Sequence, residues 1–211
     1  FTEYLIKDKK ESFKIANTMI NVGSLVILLL SVIVFFTIPM IIPMVFSNVS
    51  TEMQKEIINM TRLMLPSAII FAISNTIGNI LMSYKHFIGY SLSPIFYNLG
   101  IIFGIIFLNE KFGIYSATIG VLIGGIFHLM IRIIDLWKTD FKYKFELFYS
   151  HPGFKKILKL MVPRSISLIA WQLNMYIFAV VGITLVEGGL AAFNFARNIQ
   201  SFAVSLFGIS F

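Results

Sequence analysis

The sequence predicts an all-α fold, a polytopic transmembrane helical bundle with about six full spans plus the end of a seventh. Three observations predict it. The 211-residue chain is 57% hydrophobic and 13% charged with a mean hydropathy of +0.86, a balance foreign to soluble globular domains. Its Ile, Leu, Val and Phe runs reach or exceed the roughly 20 residues that cross a hydrocarbon core. Its charged residues gather in short clusters between those runs.

Taken in order, residues 1–6 read as the end of a span, and a basic stretch with Lys7, Lys9, Lys10 and Lys14 follows. Full spans are expected over residues 15–46, 57–83, 87–108, 114–136, 157–186 and 190–211. The first and fifth are longer than a bilayer requires, which predicts tilt, bending or extension beyond the hydrocarbon. Pro39 and Pro43 lie near the end of the first span, and Pro66 and Pro163 near the starts of the second and fifth. Pro94 lies inside the third, where the missing backbone donor favours a kink. Gly100 with Gly104, and Gly120 with Gly124, stand one helical turn apart, a spacing that suits close helix packing.

Lysine and arginine resist translocation, so their distribution orients the bundle. They crowd before the first span, at Lys85 after the second, and after the fourth at Arg132, Lys138, Lys142, Lys144, Lys155, Lys156 and Lys159. The alternate loops hold only Lys55 and Lys111. The basic loops are therefore expected in the cytoplasm, and the loops near Asn48, Glu110 and Glu187 outside. A net charge of +7 distributed in this way fits topology and anionic headgroups, and no nucleic-acid partner is expected. Two domains are expected: residues 1–150, with a cytoplasmic linker at the end, and residues 151–211, the start of a second lobe. The chain begins with Phe1 and stops at Phe211 within an apolar run, so it reads as part of a longer protein.

All ten acidic residues fall in loops or at span ends, which gives a cation site at mid-membrane little to use. Three arginines lie in or at the starts of spans. Arg62 and Arg164 are within about a turn of a boundary, where a long side chain can snorkel to the headgroups. Arg197 lies deeper. With Asn194, Asn198, Ser201 and Ser205 it falls at i, i+3, i+4, i+7 and i+11, one face of a helix. No embedded acid is expected to pair with it, and a guanidinium fork suits phosphate oxygens. Ser74, Asn75, Gly78 and Asn79 in the second span, and Ser167, Gln172 and Asn174 in the fifth, form weaker polar sets. Each is open to two readings, solute contact or hydrogen bonding between helices.

Catalysis finds no support. The chain has no cysteine, and His86, His128 and His151 are isolated. No zinc-protease or phosphate-loop motif occurs. His128, inside the fourth span, is expected to hydrogen-bond a neighbouring helix. Neither enzymatic activity nor a cofactor or metal is expected.

The stretches "FTEYL", "ANTMIN", "TRLMLPSAIIFAISNTIGNILMSYKHF", "SPIFYNLGIIFG", "GVLIGG", "PRSISLIAWQLN" and "NFARNIQSFAVSLFG", in this order and spacing, resemble the MurJ (MviN) family of lipid II flippases in the MOP superfamily. The resemblance implies a fourteen-helix fold of which this chain runs from the end of the second helix through most of the eighth. It implies a multi-pass protein of the bacterial cytoplasmic (inner) membrane that moves an undecaprenyl-pyrophosphate-linked precursor, lipid II, outward by alternating access without ATP hydrolysis. Arginines in a central cavity of that family hold the pyrophosphate. That cavity agrees with the polar sets above, so the candidate substrate-binding residues are Arg197, Asn198, Asn194, Gln172, Asn174 and Arg164, with membrane lipids as further partners. This sequence departs from the family pattern at two points. Alignment on "SLFG" puts Arg197 at the family's aspartate and Asn198 at its arginine, a displacement of about 100° around the helix. Sodium-binding members carry an aspartate where this chain has Phe178, so sodium coupling is not expected, whereas the membrane potential can drive net charge movement. Other readings are a different MOP exporter, of polysaccharide-linked lipid or of the MATE type, a non-transporting membrane scaffold, and an enzyme acting on a polyprenyl phosphate.

Overall fold

The computed structural model describes residues 1–185 and 188–205. Its helices are α1 (Thr2–Lys7), α2 (Lys9–Val45), α3 (Thr51–Ser83), α4 (Ile88–Phe112), α5 (Tyr115–Leu136), α6 (Pro152–Leu185) and α7 (Gly189–Val204). Among the described residues there is no strand, and five helices, α2 to α6, are long and apolar enough to cross a membrane. The sixth expected span is described only as far as Ser205; its remainder, together with Val186 and Glu187, lies outside the described residues.

The helix ends follow local chemistry. α2 begins six residues before the expected start at 15, because the Asp8 carboxylate caps it by accepting from the amides of Lys10 and Glu11. Ser50 caps α3 through the amide of Met53. α4 ends at Gly113, whose φ of 53° is readily reached by glycine, and Ile114 leads directly into α5.

Contacts divide the chain into two compact units, Phe1–Ile157 and Leu158–Phe211. The opening turn of α6 belongs to the first unit because it packs on α2. Phe154 is buried there, and a Cβ on Gly153 would lie 2.6 Å from the Ile15 side chain.

The first unit has large apolar side chains outside and many polar ones inside. Phe36 and Phe107 are 70% and 68% exposed, whereas Ser74, Ser93 and Thr18 are fully buried. Water would penalise that arrangement, and lipid supports it, because buried polar groups can then bond only to one another. A small apolar cluster of Ala16, Ile20, Ile77, Ile80, Leu81, Leu136 and Phe141 joins the N-terminal part of α2 to the C-terminal ends of α3 and α5.

The glycine pairs form a seam between α4 and α5. A Cβ on Gly100 would run into the Gly124 backbone, and one on Gly104 would lie 2.7 Å from the Ser116 carbonyl oxygen. A Cβ on Gly120 would lie 2.9 Å from the Ile101 carbonyl oxygen, so the two backbones touch. The spacing serves packing, as the sequence suggested.

In the second unit, α7 starts at Gly188, whose φ is 81°. Phe178 of α6 stacks on Phe193 of α7 at 5.3 Å, and Leu190 approaches Gly182.

Candidate functional site: buried charges and a polar helix face

The six expected binding residues all fall in the second unit. Arg164, Gln172 and Asn174 lie on α6, and Asn194, Arg197 and Asn198 on α7. All except Arg197 are exposed on this unit; Arg197 is half-buried, and its guanidinium touches the Met175 sulphur. A thioether is a weak acceptor. Among the described residues no carboxylate pairs with Arg197. Arg164 stands eleven residues before Met175, which puts both on one face of α6 roughly 16 Å apart. Gln172 and Asn174, two positions apart, project to opposite sides of that helix, so they cannot act from one wall. The Phe178 ring of α6 is engaged with Phe193 of α7.

The first unit contains a charge that the sequence reading misplaced. Arg132, counted among the cytoplasmic loop cations, is 4% exposed inside α5. Its Nε donates to the Ser93 hydroxyl at 3.1 Å, and its Nη1 donates to the Ser74 carbonyl at 2.8 Å and to Asn75 Oδ1 at 2.9 Å. The Tyr90 ring lies 5.1 Å from the guanidinium carbon, within cation–π range. Gly78 provides the necessary room, since a Cβ there would lie 2.7 Å from Nη1. One residue of α5 thus binds α3 and α4 together. The signal in the sequence was the serine and asparagine on the facing spans.

Ser74 also contacts His128, Oγ to Nδ1 at 2.8 Å, as expected for an interhelical histidine. The Ser74, Asn75 and Gly78 set therefore makes helix-to-helix bonds and space, the second of its two readings. One turn beyond Arg132, Asp135 is 4% exposed and accepts from the Gly89 amide at 2.9 Å, with Lys138 at 3.2 Å and His86 at 3.6 Å. This acid does lie at a span end, yet it is buried because it accepts from the Gly89 amide in the first turn of α4. Arg62 does not simply snorkel: its Nε donates to the Phe35 carbonyl of α2 at 3.1 Å, and its guanidinium covers the Phe35 ring at 4.5 Å.

The connection from α5 to α6 is fastened along α2. Asp140 contacts Lys9 and accepts from the Tyr84 hydroxyl at 2.6 Å. Asn21 donates to the Glu146 carbonyl at 2.9 Å and accepts from the Tyr143 hydroxyl at 2.6 Å. The Phe148 amide donates to the Thr18 hydroxyl at 3.1 Å, and His151 meets Glu11 at 2.8 Å. The polar residues of the "ANTMIN" stretch on α2 hold this strap. Beneath it a cavity of about 580 Å³ opens between α2, α3 and α5.

The family model described as lipid II flippase MurJ matches residues 1–211. A probable lipid II flippase MurJ of Rickettsia prowazekii is 25% identical over 214 aligned residues, covering all of this chain and 42% of the relative. A lipid II flippase MurJ of Burkholderia cenocepacia is 25% identical across 72% of this chain and 31% of its own length. A probable lipid II flippase MurJ of Borreliella burgdorferi is 31% identical across 67% of this chain and 28% of its own. The chain thus spans less than half the length of these relatives. With a match along its entire length, on an all-helical membrane bundle, this chain belongs to the MurJ family.

Proposed function

We propose that this chain is the part of a lipid II flippase that runs from the end of its second helix through most of its eighth. The activity is transport rather than catalysis: the protein moves an undecaprenyl-pyrophosphate-linked precursor across the bacterial cytoplasmic membrane by alternating access. Membership of the family carries the reading. It is supported by the inside-out arrangement of polar and apolar side chains and by the basic loops on one side.

Arg197 is the residue proposed to meet the pyrophosphate, with Asn194 and Asn198 beside it and Arg164 on α6 as a second cation. A weak sulphur partner and the lack of a paired carboxylate among the described residues leave guanidinium donors for an anion. The Gln172 and Asn174 side chains divide between two faces, and Gln172 is the one nearer the face of Arg164 and Met175. Phe178 argues for drive by the membrane potential rather than by sodium.

The test uses the full-length gene in cells depleted of their own flippase. Arg197→Ala, present in the membrane at wild-type abundance, is expected to lose precursor translocation by about 10- to 100-fold, the size of a lost charge-assisted hydrogen bond. Arg197→Lys retains part of the activity. Wild-type translocation by Arg197→Ala would assign the anion to other residues.

A further inference from the structure

The cavity under the strap lies entirely within the first unit and shares no residue with the proposed pyrophosphate site. Its walls are apolar, with Leu25, Leu28, Ile73 and Ile133 among them. Its size falls within the about 300–1,000 Å³ of sites that hold small molecules. From Ile20 to Leu28 it follows α2 for roughly 12 Å, close to the about 15 Å depth of one hydrocarbon leaflet. Its cytoplasmic mouth is the strap. There Phe141, Tyr143, Phe145 and Leu147 line the cavity, the alternation of an extended chain, so the intervening residues face the other way.

Two of those intervening residues are Lys142 and Lys144, both exposed, and neither is in an ion pair among the described residues. Of the nearby acids, Asp135 is with Lys138 and Asp140 with Lys9, and Glu146, the third intervening residue, lies close enough to Lys14 to interact with it electrostatically. Trp137, 77% exposed, and Tyr143 stand at the mouth as aromatic residues do at headgroup level. An apolar slot one leaflet deep beneath two lysines that form no ion pair among the described residues matches one ligand chemistry, a fatty chain attached to an anionic head.

We propose that this groove is a binding site for an anionic phospholipid of the cytoplasmic leaflet, with one acyl chain between α2, α3 and α5 and the phosphate drawn to Lys142 and Lys144. Anionic lipid is concentrated in that leaflet, and each lysine near its surface strengthens binding roughly fivefold. The site stands whether or not the pyrophosphate reading of Arg197 does.

The experiment places the full-length protein in phosphatidylcholine nanodiscs and titrates in phosphatidylglycerol or phosphatidylcholine carrying brominated chains. Quenching of Trp137 is read as the difference between wild type and Trp137→Phe. Phosphatidylglycerol is expected to quench at a mole fraction about twenty-fivefold lower than phosphatidylcholine, from two lysines at about fivefold each. The Lys142→Gln/Lys144→Gln variant is expected to equalise the two lipids while retaining quenching by phosphatidylcholine, which verifies its fold. Millimolar inorganic phosphate leaves the preference intact. Equal quenching by both lipids in wild type, an undiminished preference in the double variant, or displacement by inorganic phosphate each overturns the proposal. Absence of quenching by either lipid also overturns it, since protein then covers the groove.

Discussion

Gly124 and Gly125 are neighbours on α5 with opposite surroundings, and replacing each by alanine gives a paired test of the seam. A Cβ on Gly125 would meet Ile70 Cγ2 at 3.6 Å, an ordinary contact. A Cβ on Gly124 would run into the Tyr97 carbonyl and lie 3.0 Å from its ring. Both substitutions gain the same helix propensity, about 1 kcal/mol. Only Gly124→Ala adds an overpacking penalty of about 1–3 kcal/mol, because the atoms it meets are backbone and a ring that cannot swing away. Gly125→Ala is therefore expected to be up to about 1 kcal/mol more stable than wild type. Gly124→Ala is expected to fall about 1–3 kcal/mol below it. Denaturant unfolding of the purified full-length protein in mild detergent measures the difference. Equal stability of the two variants would refute a backbone contact between α4 and α5.

Gly78→Ala is expected to destabilise the wild type but to be nearly neutral beside Arg132→Ala, a coupling on the order of 1 kcal/mol in a double-mutant cycle. Additive effects would mean that the guanidinium does not occupy the space over Gly78. Asn21→Ala removes the Glu146 and Tyr143 bonds from the strap, and tryptic cleavage at Lys142 and Lys144 in inside-out vesicles is expected to accelerate roughly tenfold.

The helices were legible because apolar run length decides membrane spans almost alone. The seam was legible too, since glycines one turn apart have few other uses in a span. Arg132 was not. Read along the chain it heads a series of basic residues, and only the fold reveals that Ser74, Asn75 and Ser93 converge on it from two other helices. The same limit hid the strap, since an asparagine facing backbone carbonyls more than a hundred positions away leaves no local pattern. For Arg197 the helical period predicted a polar face, and α7 carries Asn194, Arg197, Asn198 and Ser201, with Ser205 as its C-cap. Gln172 and Asn174 were grouped by polarity, although two positions of helix separate their directions.

The network around Arg132 also bears on how the protein is made. A translocon releases helices into lipid in the order of synthesis, and a charged residue at a helix centre raises the insertion free energy by about 2.5–3.5 kcal/mol. α5, which carries His128, Arg132 and Asp135, follows the helices that hold their partners. Ser74, Asn75, Gly89 and Ser93 have all left the ribosome before the guanidinium and the carboxylate do. The short turn at Gly113 and Ile114 delivers α5 directly against α4, so its polar groups meet acceptors and donors instead of hydrocarbon. Reversing the order of these helices in a permuted gene would present the charges to the bilayer first.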